Sequence, residues 1–196
     1  AHTLLEHGRP AEALRVYETI ALVAEKLGAT ETLAHILNNV GVCAVSLGDL
    51  DRAETCFGIA YKMFEDINLT AELPRVRGGK VLVLTARGRY NEAVSVLFEI
   101  RRQFLDFGMP IVAALVSLDI VENLYLAGRT SQIASLCEEM VMTFTAASLR
   151  QNAMKALAYL TDLARQRPVV PDDVQLVRTF LTRLDAEPEA MFELSH

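Results

Sequence analysis

Histidine and cysteine supply many of the bases, nucleophiles and metal ligands of proteins, so their spacing is the first place to look for chemistry. The four histidines are His2, His7, His35 and His196. The three cysteines, which form no CxxC motif, are Cys43, Cys56 and Cys137. No pair among these residues has the spacing of a metal site. We therefore predict no catalytic residue, no metal ligand and no cofactor, and we expect that the protein is not an enzyme.

Gly78, Gly79 and Lys80 resemble the end of a phosphate-binding loop. That motif also needs a glycine farther upstream and a Ser or Thr after the lysine, where this chain has Val81. A phosphate-binding loop also follows a strand, whereas the pattern around Gly78, Gly79 and Lys80 is helical. The two glycines are more typical of close helix packing or of a local kink.

Arg75, Arg77 and Lys80 form a basic cluster. Such a cluster can bind a carboxylate, either a peptide C-terminus or an acidic side chain. Alternatively, it pairs with Asp119 and Glu122, which follow about one repeat later and would stack nearby. Both interpretations stay open at the level of the sequence.

The elements that position these residues repeat at a fixed interval. Glycine turns recur every 40 residues, at Gly8, Gly48, Gly88 and Gly128. A second series of turn residues has the same spacing, at Gly28, Asn68, Gly108 and Ser148. Between the turns, apolar residues recur at helical spacing and no segment alternates with period two. The chain is therefore predicted to be all-α, a series of helix pairs.

About nine helices are predicted, and residues 1–7 read as the tail of a preceding one. Their predicted bounds are 10–27, 31–47, 50–66, 71–87, 90–107, 110–127, 130–146, 149–166 and 172–184. Asp172 and Asp173 are expected to cap the last of these. Because the chain opens inside a repeat, we expect it to be part of a longer protein.

The segment from Asn38 to Phe64 resembles a tetratricopeptide repeat. The residues at the positions typical of that family are Leu37, Gly41, Ala44, Gly48, Asp49, Ala53, Phe57 and Ala60. The 40-residue period is similar to that of the longer-helix type in bacterial regulatory and signalling proteins. The resemblance implies a right-handed α-solenoid over 1–184, with repeats near 31–66, 71–107, 110–147 and 149–184 after a partial repeat at 1–27. A polar tail is predicted at 185–196.

In this family the first helix of each pair lines a concave groove. The resemblance therefore implies a partner-binding groove formed by His35, Asn38, Val42, Arg75, Leu82, Leu115, Leu118, Glu122 and Tyr125. The amide of Asn38 or Asn39 either holds a peptide backbone there or bonds a neighbouring helix.

The predicted function is a scaffold module that binds a protein or peptide, the partner- or signal-binding arm of a larger bacterial regulatory protein. The alternative is a small-ligand sensor with an apolar pocket. A high hydrophobic content of 52% also suggests a homodimer, and a net charge of −6 without a basic stretch argues against direct binding of nucleic acid. No apolar run is long enough for membrane insertion, and a cytoplasmic location is the default expectation.

Overall fold

The structure is a computed structural model, and it describes residues 2–146, 151–187 and 190–192. These residues form ten α-helices and one short 3₁₀-helix at Thr70–Glu72, without a strand. The helices are α1 (His2–Glu6), α2 (Pro10–Lys26), α3 (Thr30–Ser46), α4 (Leu50–Asp66), α5 (Leu73–Ala86), α6 (Tyr90–Asp106), α7 (Pro110–Leu126), α8 (Ser131–Ala146), α9 (Gln151–Gln166) and α10 (Pro171–Ala186).

The all-α helical repeat predicted from the sequence is confirmed, because consecutive helices pack against each other in chain order within residues 1–89 and within residues 90–196 as far as they are described. The described bounds of the nine predicted helices differ from the prediction by at most two residues. The tenth helix is α1, which is the predicted tail. The turn predicted at Ser148, and part of the predicted C-terminal tail, lie outside the described residues.

The seven turns between α1 and α8 each contain one residue with a left-handed backbone conformation. At Gly48, φ is +79°, and the amide of the next residue, Asp49, donates to the carbonyl of Ala44 at 2.9 Å. This bond closes the end of α3 in a Schellman-type cap. Glycine adopts the left-handed conformation that this cap needs without a steric cost. Asn68 ends α4 in the same way with φ of +57°, which agrees with the tolerance of asparagine for this conformation.

The chain divides into two compact units, Ala1–Arg89 and Tyr90–His196. In the first unit, α3 packs against α2, α4 and α5. In the second unit, α7 packs against α6, α8 and α10, and α9 packs against α8 and α10. The single solenoid domain predicted over 1–184 stays a prediction.

One aromatic ring joins three helices in the core of the first unit. Phe57 of α4 lies against Gly41 of α3 and Gly79 of α5. A Cβ atom placed on Gly79 would lie 2.3 Å from the ring, and one on Gly41 would lie 2.6 Å from it. Both glycines are therefore sites where α3 and α5 approach the ring of α4 closely. The packing role predicted for Gly79 is confirmed, whereas a Cβ on Gly78 would meet no packed neighbour within 4 Å.

The core of the second unit is built around α7. This helix is apolar on nearly every side because three other helices surround it, and its fully buried residues are Ala113, Ala114, Ser117, Leu118, Ile120 and Val121. The Ser117 hydroxyl donates to the carbonyl of Ala113 at 2.9 Å, so the polar group in this region is satisfied within its own helix.

Candidate partner-binding surfaces

The predicted groove residues fall in both units. Five of them lie on α3 and α5 of the first unit: His35, Asn38, Val42, Arg75 and Leu82. The other four lie on α7 of the second unit: Leu115, Leu118, Glu122 and Tyr125. Each set is described separately below.

The α3–α5 surface, defined by the five residues of the first unit, lies on two helices that pack side by side. His35, Arg75 and Leu82 are exposed, and Asn38 and Val42 are partly buried. Leu82 keeps 42% of its surface accessible, so it offers apolar area to a partner. The ring of His35 lies edge-on to Phe64, with 4.8 Å between the ring centroids, so packing orients this side chain.

Asn38 has an unsatisfied polar atom. Its Oδ1 is buried and has no hydrogen-bond partner among the described residues. An unsatisfied buried acceptor costs about 1–3 kcal/mol in a folded protein. The sequence left two interpretations of this amide, a bond to a peptide backbone and a bond to a neighbouring helix. Oδ1 does not make the second of these bonds.

The pairing of the basic cluster of α5 with Asp119 and Glu122 stays a prediction, because the cluster lies in the first unit and the two acids lie in the second. Within its own unit, Arg75 lies 3.7 Å from Glu72 in the preceding turn. Asp119 and Glu122 contact Arg178 of α10, whose Nη2 lies 2.9 Å from the first carboxylate and 3.0 Å from the second. Sequence periodicity did not identify this arginine, because α10 contacts α7 outside the 40-residue stacking pattern.

One of the four α7 residues is not on a surface. Leu118 is fully buried, whereas Leu115 and Glu122 are partly buried and Tyr125 is exposed. The expectation that Leu118 lines a groove is therefore corrected: in this structure the side chain belongs to the core. The physical reason is that α10 packs on α7 and covers part of the face that the repeat pattern leaves open.

A small cavity, here called the α7–α10 cavity, opens beside these residues. Its volume is about 180 Å³, and its lining consists of Val121, Glu122, Tyr125, Leu126, Val169, Val170, Pro171 and Val174. Apart from Glu122, no lining residue is charged. The sequence offered one signal for this site, the Val169–Val170 pair between two prolines, which the helical pattern did not explain.

The wall of the cavity is held by a cap at the start of α10. Asp173 accepts the Val170 amide at 3.0 Å, which confirms the predicted capping role of this aspartate. Its carboxylate also accepts two hydrogen bonds from Arg167, at 2.7 and 2.8 Å. Two bonds from one guanidinium orient both groups, so the segment from Arg167 to Asp173 is fixed where it faces the cavity.

Asp119 has a perturbed acidity. Burial raises the pKa of its carboxyl, Arg178 lowers it and Glu122 raises it, and the net result is a pKa of about 6. The side chain nevertheless keeps 39% of its surface accessible, so solvent screens part of these interactions.

Asp119→Asn is expected to raise the free energy of unfolding near neutral pH by on the order of 1 kcal/mol, and to change it little in acid. Folding raises the pKa of this carboxyl from 3.8 to about 6, so the folded chain binds the proton more tightly than the unfolded chain. The resulting stabilisation is present in acid and is lost as the pH rises through 6, and asparagine resembles the neutral carboxyl at every pH. Urea unfolding across this range measures the difference. A carboxyl that titrates at its ordinary pKa by NMR would contradict the prediction.

Two further surfaces of the described residues carry exposed apolar groups. One face of α2, continued by its C-cap residue, presents four exposed residues at helical spacing, namely Val16, Ile20, Val23 and Leu27. A larger trough of about 760 Å³ lies along α10 and is bounded by Phe180, Met191 and Phe192, with polar residues over much of the rest. The predicted homodimer stays a prediction, since neither surface shows what covers it.

No helix among the described residues has the length and the apolar composition that a membrane crossing requires. Within the same residues, no three His, Cys, Asp or Glu side chains are grouped so that they could hold a metal ion. No protein-family model matches the chain, and no curated protein and no solved structure matches it.

Proposed function

We propose that this chain is a protein- or peptide-binding module of the tetratricopeptide type, the partner- or signal-binding arm of a larger regulatory protein. The observation that carries the proposal is the α3–α5 surface. On one side of α5 it presents Arg75, Gly78 and Leu82, which follow each other at helical spacing. Arginine is enriched on surfaces that bind proteins, and the exposed leucine adds apolar area that a partner can bury.

One detail of this surface suits a peptide. The open space at Gly78 lets a partner backbone approach α5 closely, because no Cβ stands in its way.

Leu82→Asp is expected to weaken binding of a peptide partner by tenfold or more, because it places a carboxylate in the apolar part of the α3–α5 surface. Peptides selected from a random library on the unmodified chain serve as the probes. Their affinities are then measured by fluorescence polarisation for the parent and for the variant.

The matched control is Ile59→Asp. Ile59 is 47% exposed on α4, close to the 42% of Leu82, and it is not part of the α3–α5 surface. It should bind the selected peptides as the parent does. Equal effects of the Leu82 and Ile59 variants, or a failure to select any peptide, would count against the proposal.

A second candidate is a small-ligand sensor, which the α7–α10 cavity favours because its lining is almost wholly apolar. Its volume of about 180 Å³ is small, however, beside the roughly 300–1,000 Å³ of most small-molecule sites. A cavity of this size suits one large side chain better than a whole ligand, so the binding-module proposal is preferred.

A further inference from the structure

The α7–α10 cavity has two parts with different chemistry. Valine, leucine and proline side chains form most of its wall, and Glu122 stands at one end. The neighbouring Tyr125 and Leu126 are exposed, so the apolar part is open to a partner. An open apolar cavity of this size is a pocket for a single anchoring side chain.

The charged end carries more negative than positive charge. Asp119 and Glu122 share one guanidinium, and both contacts are made to the same Nη2 atom of Arg178. With both carboxylates ionised, the cluster therefore keeps a net charge of about −1. The side chains of Asp119 and Glu122 are 39% and 34% exposed, so an incoming cation can reach them.

We propose that the α7–α10 cavity anchors an apolar side chain of a partner segment, and that Glu122 and Asp119 bind a lysine or arginine next to it. This inference rests on the proposed protein-binding function and names the chemistry of the partner at one site. A second cation would balance the shared carboxylates, whereas an acidic segment would meet like charge. The net charge of −6 over the whole chain also attracts a cationic segment during the encounter.

The geometry is prepared for such an anchor. The hydrogen bonds of Asp173 with Val170 and Arg167 hold the segment that carries Val170 and Pro171 of the lining. Val174, which also lines the cavity, is buried on α10. Because little of the site has to become ordered on binding, a short segment can bind without a large entropic cost.

The test uses the full chain with labelled methyl groups and three capped tetrapeptides. The probes are acetyl-Gly-Leu-Lys-Gly-amide, its Leu-Glu analogue and its Ser-Lys analogue. The leucine–lysine peptide is expected to shift the methyl signals of Val121, Leu126 and Val170. It should bind about fivefold more tightly than the leucine–glutamate peptide, the effect of one partly screened ion pair. The serine–lysine peptide should shift these signals least, because it has no apolar anchor.

Two variants separate the parts of the site. Glu122→Gln should weaken the leucine–lysine peptide about threefold to fivefold and leave the leucine–glutamate peptide unchanged or stronger. Leu126→Trp, at a position that is 48% exposed, should fill the cavity and abolish the shifts from every peptide. The control is Asp106→Asn, which removes an exposed carboxylate of α6 and should change nothing.

Equal binding of the lysine and glutamate peptides would overturn the proposal, as would the absence of any shift at millimolar peptide. Cavity shifts that depend on protein concentration without peptide would also overturn it, since a second copy of the chain would then be the occupant. Shifts confined to Val42 and Leu82 would end this inference but support protein binding at the α3–α5 surface. Library-selected peptides that bind the parent but never shift the methyl signals of the cavity would likewise contradict this inference and support the proposed protein-binding function.

Discussion

Gly79→Ala is expected to lower the free energy of unfolding of the first unit by about 2–3 kcal/mol. The new Cβ would lie 2.3 Å from the ring of Phe57, well inside contact distance. The ring is only 4% exposed and lies against Gly41 on α3 as well, so it has little room to move away. Alanine also has a higher helix propensity than glycine, which offsets about 1 kcal/mol of the cost of the clash. The expected loss in the free energy of unfolding already includes this offset.

Gly78→Ala is the matched control for this prediction. It makes the same chemical change one residue earlier in α5, where a Cβ would meet no packed neighbour within 4 Å. This variant should therefore be more stable than the parent by up to about 1 kcal/mol. Urea unfolding followed by circular dichroism measures both variants. If the two alanines changed stability equally, the close packing of α4 and α5 at Phe57 would be refuted.

Leu118→Asp is expected to lower the free energy of unfolding of the second unit by about 4 kcal/mol or more. The side chain is fully buried at the centre of α7, so the substitution removes an apolar group from the core and places a carboxylate there. A loss of this size is comparable with the whole stability of a typical domain, about 5–15 kcal/mol. Hydrogen exchange read by mass spectrometry should show loss of protection in α7 and in the helices packed on it.

Leu126→Asp tests whether this effect comes from burial. Leu126 is on the same helix but is 48% exposed, so the same change should cost about 1 kcal/mol or less. A Leu118→Asp chain that kept the protection of the parent would show that α7 is not packed as described. The comparison also decides how binding data are interpreted, because binding lost in a Leu118 variant reports unfolding.

The sequence by itself determined the helices and the turns of this protein. The turn series can be read without a structure because left-handed backbone is a local requirement, which glycine meets at Gly48 and asparagine meets at Asn68. The helix bounds follow from the apolar spacing between those turns, and the cap at Asp173 follows from the residues around it. Each of these features depends on interactions within a few residues.

Only the tertiary structure decided which residues of a helix face reach the surface. Leu82 and Leu118 were both predicted to line the groove, yet one is 42% exposed and the other is fully buried. The pairing of Asp119 and Glu122 with Arg178 was equally hidden, because it joins α7 to a helix that the period does not place beside it. Burial and ion pairing depend on which elements meet in space, and local spacing along the chain carries no record of how α10 packs on α7.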